Sequence, residues 1–165
     1  ADHASRRQGM SAADYVSIAI ILAFCACGAF LGAVRSIMLL LGMIFATSFV
    51  ERMVDQGATQ GAYVWTFIGI TAAFTVGGFL LYGYSRITFI ESMEGVFGAI
   101  IAGAAGWGIA RFVLSVFLYY LPESSFAMMI VPGASIAWDV YNVTPWQMLM
   151  GRTESLRNPS PDLGI

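Results

Sequence analysis

Charge is missing from long stretches of this chain, and those stretches limit what it can fold into. Residues 15–34, between Asp14 and Arg35, are twenty uncharged positions. That matches the roughly 20 residues that carry an α-helix across the hydrocarbon core of a bilayer. Only 11% of the 165 residues are charged while 58% are hydrophobic, against about 25% charged in a soluble domain. Eight basic and ten acidic residues are too few for a polar shell, so a large apolar surface must face lipid or a partner.

The remaining charges divide the rest of the chain. Residues 36–50 form a second apolar run before Glu51 and Arg52, only about 22 Å of helix. The run crosses if Arg35 and Arg52 snorkel or the helix continues through Met53 and Val54; a partly inserted hairpin is the alternative. Residues 56–85 carry no charge, with Tyr63 and Trp65 marking one interface and Tyr82 and Tyr84 the other. Residues 95–122 carry one, Arg111. The expected fold is therefore an all-α integral membrane four-helix bundle. Residues 1–13 form an N-terminal tail, the spans fall near 15–34, 36–54, 63–84 and 95–117, and 123–165 form an interfacial or cytoplasmic tail. All five prolines fall from Pro122 onward, and this tail is expected to lie peripherally, with Trp138, Tyr141 and Trp146 in the interface.

Helix ends and faces are partly readable. Ser11, three residues before Asp14, has the spacing of a capping pair. No small-x-small cleavage site follows the first run, so it reads as a retained span. Small residues recur every four positions in the fourth span at Gly98, Ala102, Gly106 and Ala110, with a parallel row through Gly103; the first span has Gly28 and Gly32, and Gly77-Gly78 lie in the third. Such rows let helix backbones approach closely, within the chain or across an oligomer, and the expectation favours internal packing. Trp107 among the glycines is expected to fill a groove in a neighbouring helix. Cys25 and Cys27, two apart, face nearly opposite sides of a helix and read as packing residues.

Arg111 has two readings. With the crossing starting near Gly95 it reaches the far interface and snorkels to headgroups; with a start near Ala102 it is buried and functional. The snorkelling reading is preferred because no acidic partner is evident at matching depth. Arg35, at the first turn, is the other candidate functional charge.

Chemistry is sparse. His3 is the only histidine, there is no lysine, and neither a catalytic triad, an HExxH nor a P-loop is present. Pairs such as Glu91/Glu94 and Glu51/Asp55 read as solvated helix ends. No catalytic, metal or cofactor residue is expected, and a lipid or quinone site between helices is neither revealed nor excluded. A net charge of −2 with no basic run beyond Arg6-Arg7 argues against nucleic acid. The expected partners are the lipid bilayer and other integral membrane proteins or a second copy. Arg6, Arg7, Arg52, Arg152 and Arg157 on one side against Arg35 and Arg86 on the other predict N-in, C-in topology.

Asp14-Tyr15 opening the first helix, Gly32-x-x-Arg35 at the turn, Met93-Glu94-Gly95 leading through Gly98 to Gly103, and Pro122-Glu123-Ser124-Ser125-Phe126 with Ser135 before Trp138 and Tyr141 resemble the colicin V production (CvpA) family of bacterial inner-membrane proteins. Leu31 and Ser36 depart from the charged residues that family members often carry there. The resemblance implies a multi-pass inner-membrane protein linked to toxin export and envelope upkeep, without a catalytic activity. Two alternatives stand beside it: an accessory subunit of a respiratory or photosynthetic complex, and a small oligomeric pore along the fourth span.

Overall fold

The computed structural model describes residues 10–82, 93–130 and 135–142. The regular structure of those residues is helical: α1 (Ala12–Leu31), α2 (Ala33–Asp55), α3 (Gln60–Tyr82), α4 (Glu94–Tyr120) and the short α5 (Ile136–Asn142), with a 3₁₀ turn at Ala127–Met129. The first four are long and apolar enough to cross a membrane. They run alternately up and down. One end of the bundle, called proximal below, carries the start of α1; the other carries the α1–α2 turn and is called distal.

Local chemistry sets the helix boundaries. Ser11 and Asp14 form the expected reciprocal cap: the Asp14 amide donates to Ser11 Oγ at 3.2 Å and the Ser11 amide donates to Asp14 Oδ2 at 2.8 Å. Gly32 ends α1 in a positive-φ conformation, φ 81°, which side chains with a Cβ adopt at a cost. A Cβ there would also lie 2.6 Å from Glu94 Oε1. This one residue lets α2 begin at once. α2 then runs unbroken for 23 residues, about 34 Å. Helix continues through Arg35 at one end and Glu51 and Arg52 at the other, so the hairpin alternative for this segment falls away.

α4 is the central helix, packed broadly against α1 and α2 but touching α3 lightly. Its contact with α1 is a small-residue seam. Gly28 and Gly98 meet backbone to backbone, and a Cβ on Gly28 would also overlap the Ala102 methyl. Gly103 faces Cys25 Sγ and Gly106 faces Phe24 and Ile21. Glycine and alanine remove the bulk that would hold the helices apart, and the gain is dispersion along the whole length. On the other side of α4, Met43, Ala46, Val50, Tyr63 and Phe67 form a core between α2 and α3, closed by Phe112 stacked on Phe67 at 3.6 Å.

Many large apolar side chains point outward. Phe30 is 90% exposed, Trp65 73%, Leu80 69% and Ile100 64%, while Ala102 and Ala105 are fully buried. Small residues inside and bulky ones outside is the arrangement of a bundle solvated by lipid, because burying large side chains between helices gains little when lipid is equally apolar.

Part of the expected peripheral tail belongs to the core. Ile130, Ala137 and Val140 are buried with Ala13, Ala110 and Leu114 at the proximal end. The prolines that rule out a further crossing do not prevent a turn that folds α5 back over α1 and α4. Trp146, Met148, Met150 and residues 152–165 lie outside the described residues, as do residues 1–9 and 83–92.

Candidate functional site

One group of polar residues converges at the proximal end. α2 and α4 both run from the distal to the proximal end, so the last turns of α2 come level with the later part of α4. Arg111 Nη1 donates to Glu51 Oε1 at 2.8 Å. Its Nε donates to the Tyr141 carbonyl at 3.1 Å, and its guanidinium lies 5.9 Å from the Tyr141 ring centroid. The Arg111 side chain is 15% exposed and Glu51 54%. The expectation that Arg111 lacks an acidic partner is therefore corrected. α4 does begin at Glu94, which puts Arg111 toward the far end of the helix, but the cation is held by a carboxylate and a carbonyl. Glu51 ends an apolar run in the sequence and reads there as a solvated charge; the parallel alignment of α2 and α4 makes it a partner.

These groups line a cavity of about 240 Å³. Tyr63, Tyr119 and Tyr141 contribute phenols, Thr47 and Ser115 hydroxyls, and Gly108 and Phe112 the remaining wall. Tyr141 Oη donates to Tyr119 Oη at 3.5 Å. Burial pushes the Tyr141 phenol up to about 12, its contact with Tyr119 adds to the shift, and Arg111 opposes it. The phenol is neutral at any physiological pH. The cavity therefore holds one cation, one anion and several neutral donors and acceptors. It is suited to binding a polar group without net charge. Among the described residues no cluster of three or more His, Cys, Asp or Glu is placed to hold a metal ion.

α5 is fastened over this cavity from two sides. Trp107 Nε1 donates to the Val140 carbonyl at 3.1 Å, so the ring expected to fill a groove between helices also tethers α5. Asp14, 4% exposed, accepts the Ala137 amide at 2.8 Å through its second oxygen, and Ser135 Oγ accepts the Trp138 amide at 3.2 Å. One carboxylate thus serves two helix starts, accepting the N-cap amide of Ser11 at α1 and the first-turn amide of Ala137 at α5. The spacing of Ser11 and Asp14 reveals the first cap. Nothing local reveals the second, 123 residues away.

The other predicted residues fall elsewhere. Gly28, Gly32, Gly98, Ala102, Gly103 and Gly106 lie on the α1–α4 seam and its distal turn. Cys25 is in that seam, whereas Cys27 is exposed. Arg35 stands at the distal end with its guanidinium 4.5 Å from the Phe79 ring centroid, beside a second polar cavity of about 250 Å³ that Gly32 and Glu94 also line. Of the third-span glycines, Gly78 packs on Met38, but Gly77 meets nothing within 4 Å, and neither does Gly69. With exposed Ala73 they form a row at every fourth position on the side of α3 turned away from α2. That row is visible in the sequence as Gly69-x-x-x-Ala73-x-x-x-Gly77.

Comparison of the chain with protein families, curated proteins and solved structures finds no match.

Proposed function

We propose that the chain is a non-enzymatic integral protein of the bacterial inner membrane, with both termini in the cytoplasm, that works by packing against other membrane proteins. The observation that carries this reading is how the small-residue rows are used. Those of α1 and α4 are spent inside the bundle, while the row on α3 is left open toward the surroundings. An open small-residue row in lipid is a surface on which another helix can approach closely. Residue types support the absence of catalysis: one histidine, no lysine, and, among the described residues, charged groups confined to helix ends or to an ion pair. The resemblance to the colicin V production family suggests the setting, toxin export and envelope upkeep.

An accessory subunit of a larger complex would present the same face, with Trp65 exposed close to it. A pore assembled along the fourth span is disfavoured, because α1 already covers the face it would use. Mild-detergent purification tests the proposal. The wild type is expected to elute with a partner or as a dimer, and Gly69→Leu/Gly77→Leu as a folded monomer. A wild-type chain that elutes alone contradicts it, and the identity of the co-eluting chain separates self-association from an accessory role.

A further inference from the structure

The charge balance of the proximal cavity and the apolar cleft beside it fit one amphipathic ligand. We propose that the cavity takes the headgroup of a zwitterionic phospholipid bearing a primary amine, a phosphoethanolamine lipid, with its acyl chains against the α3–α4 cleft. This rests on the membrane reading above and adds a ligand to it.

Charge is the first argument. Among the described residues the cavity is lined by one guanidinium and one carboxylate, 2.8 Å apart. An anionic headgroup would leave net negative charge in a site of reduced dielectric, which is unfavourable, whereas a zwitterion leaves the total unchanged. The headgroup inserts by exchanging one ion pair for two: its phosphate faces Arg111 and its ammonium faces Glu51. Arg111 stays in place because the Tyr141 carbonyl also holds it. Glu51, more than half exposed, moves aside without disturbing the core. The hydroxyls of Tyr119 and Tyr141 supply neutral donors to phosphate oxygens.

The choice of primary amine follows from the aromatic groups. A quaternary ammonium is recognised by open ring faces. Here Arg111 lies over the Tyr141 ring, and Tyr63 is stacked on Phe112 at 5.1 Å. A carboxylate and hydroxyls remain, and these suit N–H donors.

The cleft supplies the apolar half. α3 and α4 touch lightly, and the space between them forms two apolar grooves of about 350 and 380 Å³. Phe67, Ile68 and Ile109 line both grooves. Phe112 lines the first groove on one side and the polar cavity on the other. A polar cavity at the proximal end and apolar grooves on the other side of the Phe112 ring lie close enough for the headgroup and the acyl chains of a single phospholipid to occupy them.

Native mass spectrometry of the full chain, titrated separately with phosphatidylethanolamine, phosphatidylglycerol and phosphatidylcholine, tests this. Wild type is expected to retain phosphatidylethanolamine about tenfold better than either other lipid. Glu51→Gln makes the cavity net positive and is expected to reverse the preference toward phosphatidylglycerol by a similar factor, about tenfold. Arg111→Lys keeps the charge but loses the planar fork, so both lipids weaken. Glu123→Gln, on the exposed turn after α4, leaves the preference as in wild type. Equal retention of the three lipids by wild type, or an unchanged preference in Glu51→Gln, overturns the proposal. Displacement of the lipid by an equal concentration of soluble phosphoethanolamine overturns the lipid assignment in favour of a free zwitterion. Recovery of the chain from the soluble fraction would instead defeat the membrane reading beneath it.

Discussion

Single residues here act through space more than through reactivity. A Cβ at Gly98 would meet the backbone of Gly28 and Gly32, and backbone cannot move aside as a flexible side chain can. Gly98→Leu is expected to destabilise the bundle by about 3 kcal/mol or more, at the upper end of overpacking costs. Gly69→Leu, where a Cβ meets nothing within 4 Å, should leave the melting temperature in detergent almost unchanged. Equal losses in the two variants would contradict the seam. Trp107→Phe keeps most of the ring but removes the donor to the Val140 carbonyl, at a cost of about 1 kcal/mol in the same assay. Tyr141 sets a pH limit. Its phenol is raised to about 12 from an ordinary value of 10, so folding favours the protonated form. The stability this contributes is complete below pH 10 and is lost as pH rises toward 12. The difference in tyrosinate absorbance between wild type and Tyr141→Phe should therefore titrate above the ordinary tyrosine range, and a titration near 10 would remove Tyr141 from a buried site.

Among the elements, α5 is the least self-sufficient. Seven residues are too few for a stable isolated helix, so its order depends on Asp14, Trp107 and the buried Ala137 and Val140. Asp14→Ala removes the acceptor for the Ala137 amide and half of the α1 cap, an expected loss of about 2 kcal/mol. Hydrogen exchange should show the α5 amides losing protection while the centre of α4 keeps its own. Unchanged protection in α5 would mean that Asp14 caps α1 alone. The long helices were legible in the sequence because charge-free length and small-residue spacing are local properties. Glu51 beside Arg111 and Asp14 beside Ala137 were not, because each pair forms only once the alignment of α2 with α4 and the packing of α5 on α1 are known. The break at Pro132-Gly133 marked a segment unable to cross, but carried no sign that the segment would fold back and bury Ala137.

At the scale of the whole molecule, four crossings and a returning α5 place both ends of the described chain at one end of the bundle. Asp14 on α1 accepts a hydrogen bond from Ala137 on α5 at 2.8 Å, which an odd number of crossings would not permit. In the proposed orientation that end faces the cytoplasm, which would put the Arg111 cavity in the inner leaflet and the Arg35 cavity in the outer. The small-residue rows then divide between a sealed interior seam and an open face on α3, and the charged groups of the described residues gather toward the two ends of the bundle. Membrane-impermeant thiol labelling in intact cells, with single cysteines placed at residue 10 and residue 142 in a background lacking Cys25 and Cys27, tests this arrangement most directly. Both sites are predicted to be protected until the inner membrane is opened; labelling of one and not the other would contradict the four-span bundle.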